Sequence, residues 1–91
     1  MDKKFKNLGN FLRQARMKKG FSQGQVAKKL GYTSPQFISN FERGIASPPC
    51  KNLKVLVDMY GISPNELIEI MYEEQQMQLK AEMVRMKKAF R

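Results

Sequence analysis

Four glycines, Gly20, Gly31, Gly44 and Gly61, divide the first two-thirds of the chain into short blocks, and the apolar residues inside each block recur every three or four positions. That period belongs to a helix face, and no stretch alternates apolar and polar residues as a half-buried strand does. Leu8, Phe11, Leu12 and Ala15, with Met17 near the end, predict a helix over about 7–19 stopped by Gly20. Ser22 followed three residues later by Gln25 reads as a capping box opening a short helix that ends at Gly31. Ser34-Pro35 opens a third helix, with a capping residue and a proline at the first helical position, and Gly44 closes it. After the Pro48-Pro49 loop, Leu53, Leu56, Val57 and Tyr60 predict a fourth helix over about 50–60. Ser63-Pro64-Asn65-Glu66 is a second capping box, and no glycine or proline follows it. The expected fold is all-α, five helices with an extended C-terminal helix.

Chemistry is narrowed by what is missing. With no histidine and one cysteine, Cys50, the chain lacks the commonest general base, a thiolate cluster and an internal disulfide. No pair of carboxylates sits in an apolar setting that would separate their pKa values, so an enzyme is not expected, nor a metal or cofactor. No apolar run approaches 18 residues, and Met1 to Asn7 carries charge without an apolar stretch behind it, so neither a membrane span nor a secretory signal is expected. A cytoplasmic, nucleoid-associated location follows as an expectation. The net charge is +9, and it is unevenly spread. Residues 1–61 hold 12 basic and 3 acidic side chains, whereas residues 62–91 hold 5 of each. A positive excess confined to one part of the chain points to a polyanionic partner there.

Residues 22–44 combine the types needed by two short helices crossing at a steep angle over a tight turn. Ala27 keeps the crossing small, Gly31 permits a left-handed turn, and Val26, Leu30, Ile38 and Phe41 supply a shared apolar seam. This is a helix-turn-helix pattern, whose second helix fits the major groove of DNA. The chain here resembles the lambda-repressor-like, Cro/repressor-type helix-turn-helix family. Ser22-Gln23, Ala27, Leu30-Gly31, Ile38-Ser39 and Glu42-Arg43-Gly44 carry the resemblance, which extends over about 7–71 through Leu53–Gly61 and Ile62–Leu67. The turn Tyr32-Thr33-Ser34 is one residue longer than the family's usual turn.

The resemblance implies that Gln36 and Asn40, one helical turn apart, face bases, a task for which amide side chains suit adenine. Phe37 lies between them and is expected either to meet a thymine methyl or to fill the core. Gln23 matches the position that clamps a backbone phosphate, and Arg43 and Lys51 are expected to flank the groove as further phosphate contacts. The resemblance also pairs Arg16, late in the first helix, with Glu42 at the end of the third, as a partly buried structural ion pair.

Residues 1–71 are expected to form the DNA-binding domain, and 72–91 a helical extension serving oligomerisation. Tyr72, Leu79 and Met86 at one heptad position, with Gln76, Met83 and Phe90 at the other, leave an apolar stripe suited to a second chain. The expected function is a sequence-specific, double-stranded-DNA-binding transcriptional regulator, a homodimer on an inverted-repeat site with helix 3, about 35–43, in the major groove. The alternative is an antitoxin-type protein that binds DNA and holds a protein partner through the C-terminal helix. Membrane docking is disfavoured because residues 62–91 hold as many acidic as basic side chains, whereas surface-bound helices are usually basic.

Overall fold

The computed structural model describes residues 3–90, so Met1, Asp2 and Arg91, the ends of the two expected segments, lie outside it. Within it the chain forms five helices and no strand: α1 (Lys6–Lys19), α2 (Gln23–Leu30), α3 (Gln36–Glu42), α4 (Cys50–Tyr60) and α5 (Pro64–Ala89). Boundaries follow local chemistry. Ser22 Oγ accepts from Gln25 N at 3.0 Å while Gln25 Oε1 accepts from Ser22 N at 2.8 Å, so the first capping box is complete. The second is only half made: Ser63 Oγ accepts from Glu66 N, with no reciprocal bond from Glu66. Helix α3 begins one residue later than its proline suggests, because Ser34 Oγ accepts from Gln36 N at 3.1 Å and Pro35 becomes the cap.

Leu8, Leu12, Ala15, Val26, Ala27, Ile38, Phe41, Leu53, Leu56, Tyr60 and Leu67 form one core shared by all five helices. Leu30 only half-buries at its edge, and Met17 turns to solvent, since Leu8, Leu12 and Ala15 set the inward face of α1 and Met17 falls off it. Gly9 sits where α1 crosses α3: a Cβ there would stand 2.5 Å from the Phe41 carbonyl oxygen and 2.6 Å from that of Glu42. Only glycine allows this approach.

The N-terminus of α1 is capped from the far end of the chain. Glu74 on α5 is buried, its Oε2 accepting from Asn7 N at 2.6 Å and its Oε1 from Leu8 N at 3.1 Å. A carboxylate there satisfies orphan donors and meets the positive end of the helix. Gln78 Nε2 also donates to the Lys4 carbonyl. Contacts between the globular part and α5 therefore run to Gln78, beyond the boundary expected at residue 71. From Leu79 to Phe90 every residue is exposed.

Tyr60, at the end of α4, is 3 % exposed, and burial raises its phenol pKa above the ordinary value, with Glu42 reinforcing the shift and Arg16 opposing it. A raised folded-state pKa leaves stability intact below the unfolded value of about 10 and removes it as pH rises through the folded one. Urea unfolding is expected to show constant support from Tyr60 up to about pH 10 and a loss above it. Tyr60→Phe should blunt that alkaline loss; an unchanged decline in the variant would assign it elsewhere.

Candidate nucleic-acid interface

Helices α2 and α3 are joined by residues 31–35 and share the seam of Val26, Ala27, Ile38 and Phe41. Gly31 holds the turn at φ 81°, where its N–H bonds the Lys28 carbonyl at 3.2 Å and Tyr32 N reaches the Ala27 carbonyl at 2.9 Å. A side chain at that φ would be strained. With Ile38, Phe41 and Glu42 turned inward, α3 leaves Gln36 and Phe37 exposed and Asn40 half-buried, and Arg43 follows exposed at its C-cap.

Three of these are joined. Gln36 Nε2 donates to Asn40 Oδ1 at 3.0 Å, and Arg43 Nη2 donates to the same oxygen at 2.7 Å. The amide pair and the guanidinium thus form one polar row, which orders long side chains before any ligand arrives. Arg43 belongs to the row of the two amides rather than standing apart from it. This arrangement uses only the Asn40 amide oxygen, so its Nδ2 keeps its donors and Gln36 keeps its carbonyl oxygen as an acceptor.

Phe37 does not enter the core. It is 44 % exposed and stacks on Tyr32, with centroids 4.5 Å apart and planes within 10°. Tyr32 meets Phe41 edge-on at 6.1 Å, and its hydroxyl accepts from buried Asn52 Nδ2 at 2.6 Å. An apolar ring is thereby held beside the polar row by a tyrosine from the turn and an asparagine from α4. Nothing in the sequence singled out Tyr32 or Asn52; an aromatic within a turn of otherwise polar residues was the one available signal.

Beneath this face lies an ion pair. Arg16 Nε stands 2.6 Å from Glu42 Oε2 and Nη2 3.1 Å from Oε1, with side chains 12 % and 4 % exposed. Arg16 Nη1 also donates to the Phe21 carbonyl at 2.7 Å. The hydrogen bond to Glu42 raises the Arg16 pKa above its ordinary value, against desolvation. Gln23 Nε2 donates to Glu42 Oε1 at 3.0 Å, so the residue expected to clamp a phosphate is anchored to the same carboxylate and has its second amide hydrogen to offer. Lys51, in the first turn of α4, is exposed. Tyr72, Leu79, Met83 and Met86 lie on α5 and Phe90 at its C-cap, all exposed.

Against this geometry, a helix-turn-helix family model matches residues 12–67. The chain belongs to this helix-turn-helix family. A curated relative, the HTH-type transcriptional regulator ImmR of Bacillus subtilis (strain 168), is 34 % identical over 62 residues, covering 68 % of this chain and 48 % of that protein. The chain spans about half the length of the curated relative it matches. No solved structure matches it. The match begins at Leu12 and ends at Leu67, so the helix-turn-helix unit is included whole while the N-terminal turns of α1 and most of α5 fall outside.

Two further features bear on chemistry. Among the described residues no group of His, Cys, Asp or Glu could hold a metal ion. No helix of those residues is long and apolar enough to cross a membrane. A concavity of about 960 Å³ lies between α1 and the α4–α5 junction, lined by residues including Phe11, Met17, Tyr60 and Glu66 and by none of the row on α3.

Proposed function

We propose that this helix-turn-helix protein is a sequence-specific DNA-binding transcriptional regulator that acts as a dimer on an inverted-repeat site. The observation that carries the reading is the row Gln36–Asn40–Arg43 on the outer face of α3. Side chains of these types have the donors and acceptors to read base edges, and a helix of this size fits the major groove. Phe37 stands beside the row to contact a thymine methyl. Gln23 supplies a donor to a backbone phosphate, and Lys51 adds a screened charge at the rim. The 12 basic and 3 acidic residues of 1–61 supply the sequence-independent attraction. The transcriptional role ascribed to the Bacillus relative supports the same reading.

Selection of bound sequences from random duplex DNA is the direct test. It is expected to return an inverted repeat with half-sites about one helical turn apart, 34 Å. Recovery of no enriched sequence would remove the reading. On the selected site, Asn40→Ala and Gln36→Ala should each cost roughly 1–3 kcal/mol and relax preference at a base pair. Equal losses on selected and random DNA would show that these amides only hold the backbone.

The electrostatic part is tested by salt. A dimer neutralising roughly six phosphates should lose affinity with a log–log slope of about −5. Lys51→Ala is expected to flatten the slope and leave the preferred sequence alone. Arg43→Ala should do both, flattening the slope and relaxing the preference, because its guanidinium orders Asn40. Binding indifferent to salt would overturn the phosphate contacts.

A further inference from the structure

Helix α5 carries an apolar stripe that the monomer leaves uncovered. Ile68, Tyr72, Leu79, Met83, Met86 and Phe90 follow one another at spacings of four, seven, four, three and four residues, which keeps them on one face. Their exposures run from 56 % to 81 %. The face that packs on the domain is another one, bearing Leu67, Met71, Glu74 and Gln78. Ile68 and Tyr72 are as open to solvent as the stripe residues beyond the domain.

Five of the six stripe positions are symmetrical about Leu79, and the sixth, Met83, has Gln75 as its mirror position. Measured from Leu79, Tyr72 and Met86 lie seven residues away on either side, and Ile68 and Phe90 lie eleven. A sequence that reads alike in both directions meets itself in register when two copies run antiparallel. The charges beside it do the same. One flank carries Glu69 and Glu73 before the centre and Lys80 and Lys87 after it. Reversal brings Lys87 of one copy opposite the interval between Glu69 and Glu73 of the other. A parallel pair would face that flank with Gln75, Glu82 and Ala89, so Lys87 would meet the single glutamate Glu82 while Glu69 and Glu73 are left without a cation. It would also set two domains carrying the basic excess of residues 1–61 side by side, whereas reversal moves them toward opposite ends.

We infer that α5 is a homodimer seam in which a second copy of this chain packs antiparallel about Leu79. This deepens the dimeric reading above and is independent of DNA contact. Six large side chains, each exposing on the order of 100 Å², amount to roughly 600 Å² per chain, which with the flanking charges approaches the ~800 Å² per partner of a stable interface.

The test uses the full chain with Cys50→Ser. Chains carrying Tyr72→Cys and Met86→Cys are mixed at micromolar concentration and oxidised, since a disulfide forms only where Cα atoms come within about 7 Å. The expected product is the mixed 72–86 disulfide, at least about tenfold over either self-linked species. A dominant 72–72 product overturns the orientation. In sedimentation the unmodified chain should be a dimer and Leu79→Glu a monomer of unchanged helical content; a monomeric parent, or a dimeric variant, overturns the seam. Lys87→Glu should weaken the dimer, and adding Glu69→Lys with Glu73→Lys should restore it; no restoration overturns the charge register. An antiparallel dimer that ignores DNA would remove the proposed function and leave the seam, whereas a chain that is monomeric in solution and pairs only on its DNA site would remove the seam and leave the proposed function.

Discussion

Replacing Glu42 with alanine is expected to lower the unfolding free energy by about 3–5 kcal/mol, the cost of leaving one member of a buried pair without its partner. The carboxylate is 4 % exposed and accepts three hydrogen bonds, two from Arg16 and one from Gln23. Without it the Arg16 guanidinium, itself 12 % exposed, keeps only the Phe21 carbonyl. A domain of this size has about 5–15 kcal/mol in total, so the variant should unfold at a far lower urea concentration with an unchanged slope. A loss below about 1 kcal/mol would show the pair to be no stronger than a surface bridge. The companion variant separates charge from shape. Arg16→Met with Glu42→Leu removes both charges together, and much of the stability should return, because filling the site with apolar atoms avoids the desolvation penalty. DNA affinity should not return with it, since Gln23 would have lost the carboxylate that orients its amide.

Gly9→Ala is the second large effect. A Cβ at this position meets only backbone: the Phe41 carbonyl oxygen at 2.5 Å, the Glu42 carbonyl oxygen at 2.6 Å and its carbon at 2.9 Å. No side chain is there to swing aside, so α1 must move off α3, at a cost of at least about 3 kcal/mol, the upper part of the range for overpacked cores. Gly24→Ala supplies the contrast. It lies in helix α2 with nothing nearer a new Cβ than Ser22 Oγ at 3.8 Å, and alanine there should stabilise by about 0.5–1 kcal/mol through helix propensity and a less free unfolded chain. Thermal unfolding of both variants reads the signs directly. A neutral Gly9→Ala would mean that the two helices can separate without loss.

Glu42→Ala and Gly9→Ala fall at the crossing of α1 and α3, which ties the interface to stability. The carbonyls that approach Gly9 belong to Phe41 and Glu42, and the Arg43 that orders Asn40 is the next residue. A shift of α1 is therefore felt at the end of the helix that carries the row, before any residue facing DNA is altered.

Helix number, helix order and the capped ends were legible in the residues themselves. Ser22 with Gln25, Pro64 after Ser63, and the glycines that end α1, α2 and α4 act on backbone groups within three or four positions, so their meaning survives without knowledge of the fold. The helix-turn-helix unit was legible for the same reason, being two such helices and the turn between them. What the residues alone could not determine is what depends on a partner distant in the chain; the Arg16–Glu42 pair was expected only through the family resemblance. Glu74 is one of five acidic residues in 62–91, and only the lie of α5 across α1 makes it the cap of a helix 66 positions earlier. Gly9 reads as a weak point inside a helix, and only the crossing with α3 makes it a requirement. Phe37 had two open destinations until Tyr32 took it as a stacking partner. The division follows the range of the forces: caps and periodicity are set by the backbone's own hydrogen-bond geometry over a single turn, whereas close approach, stacking and buried charge are set by how whole helices cross, to which no short window of residues has access.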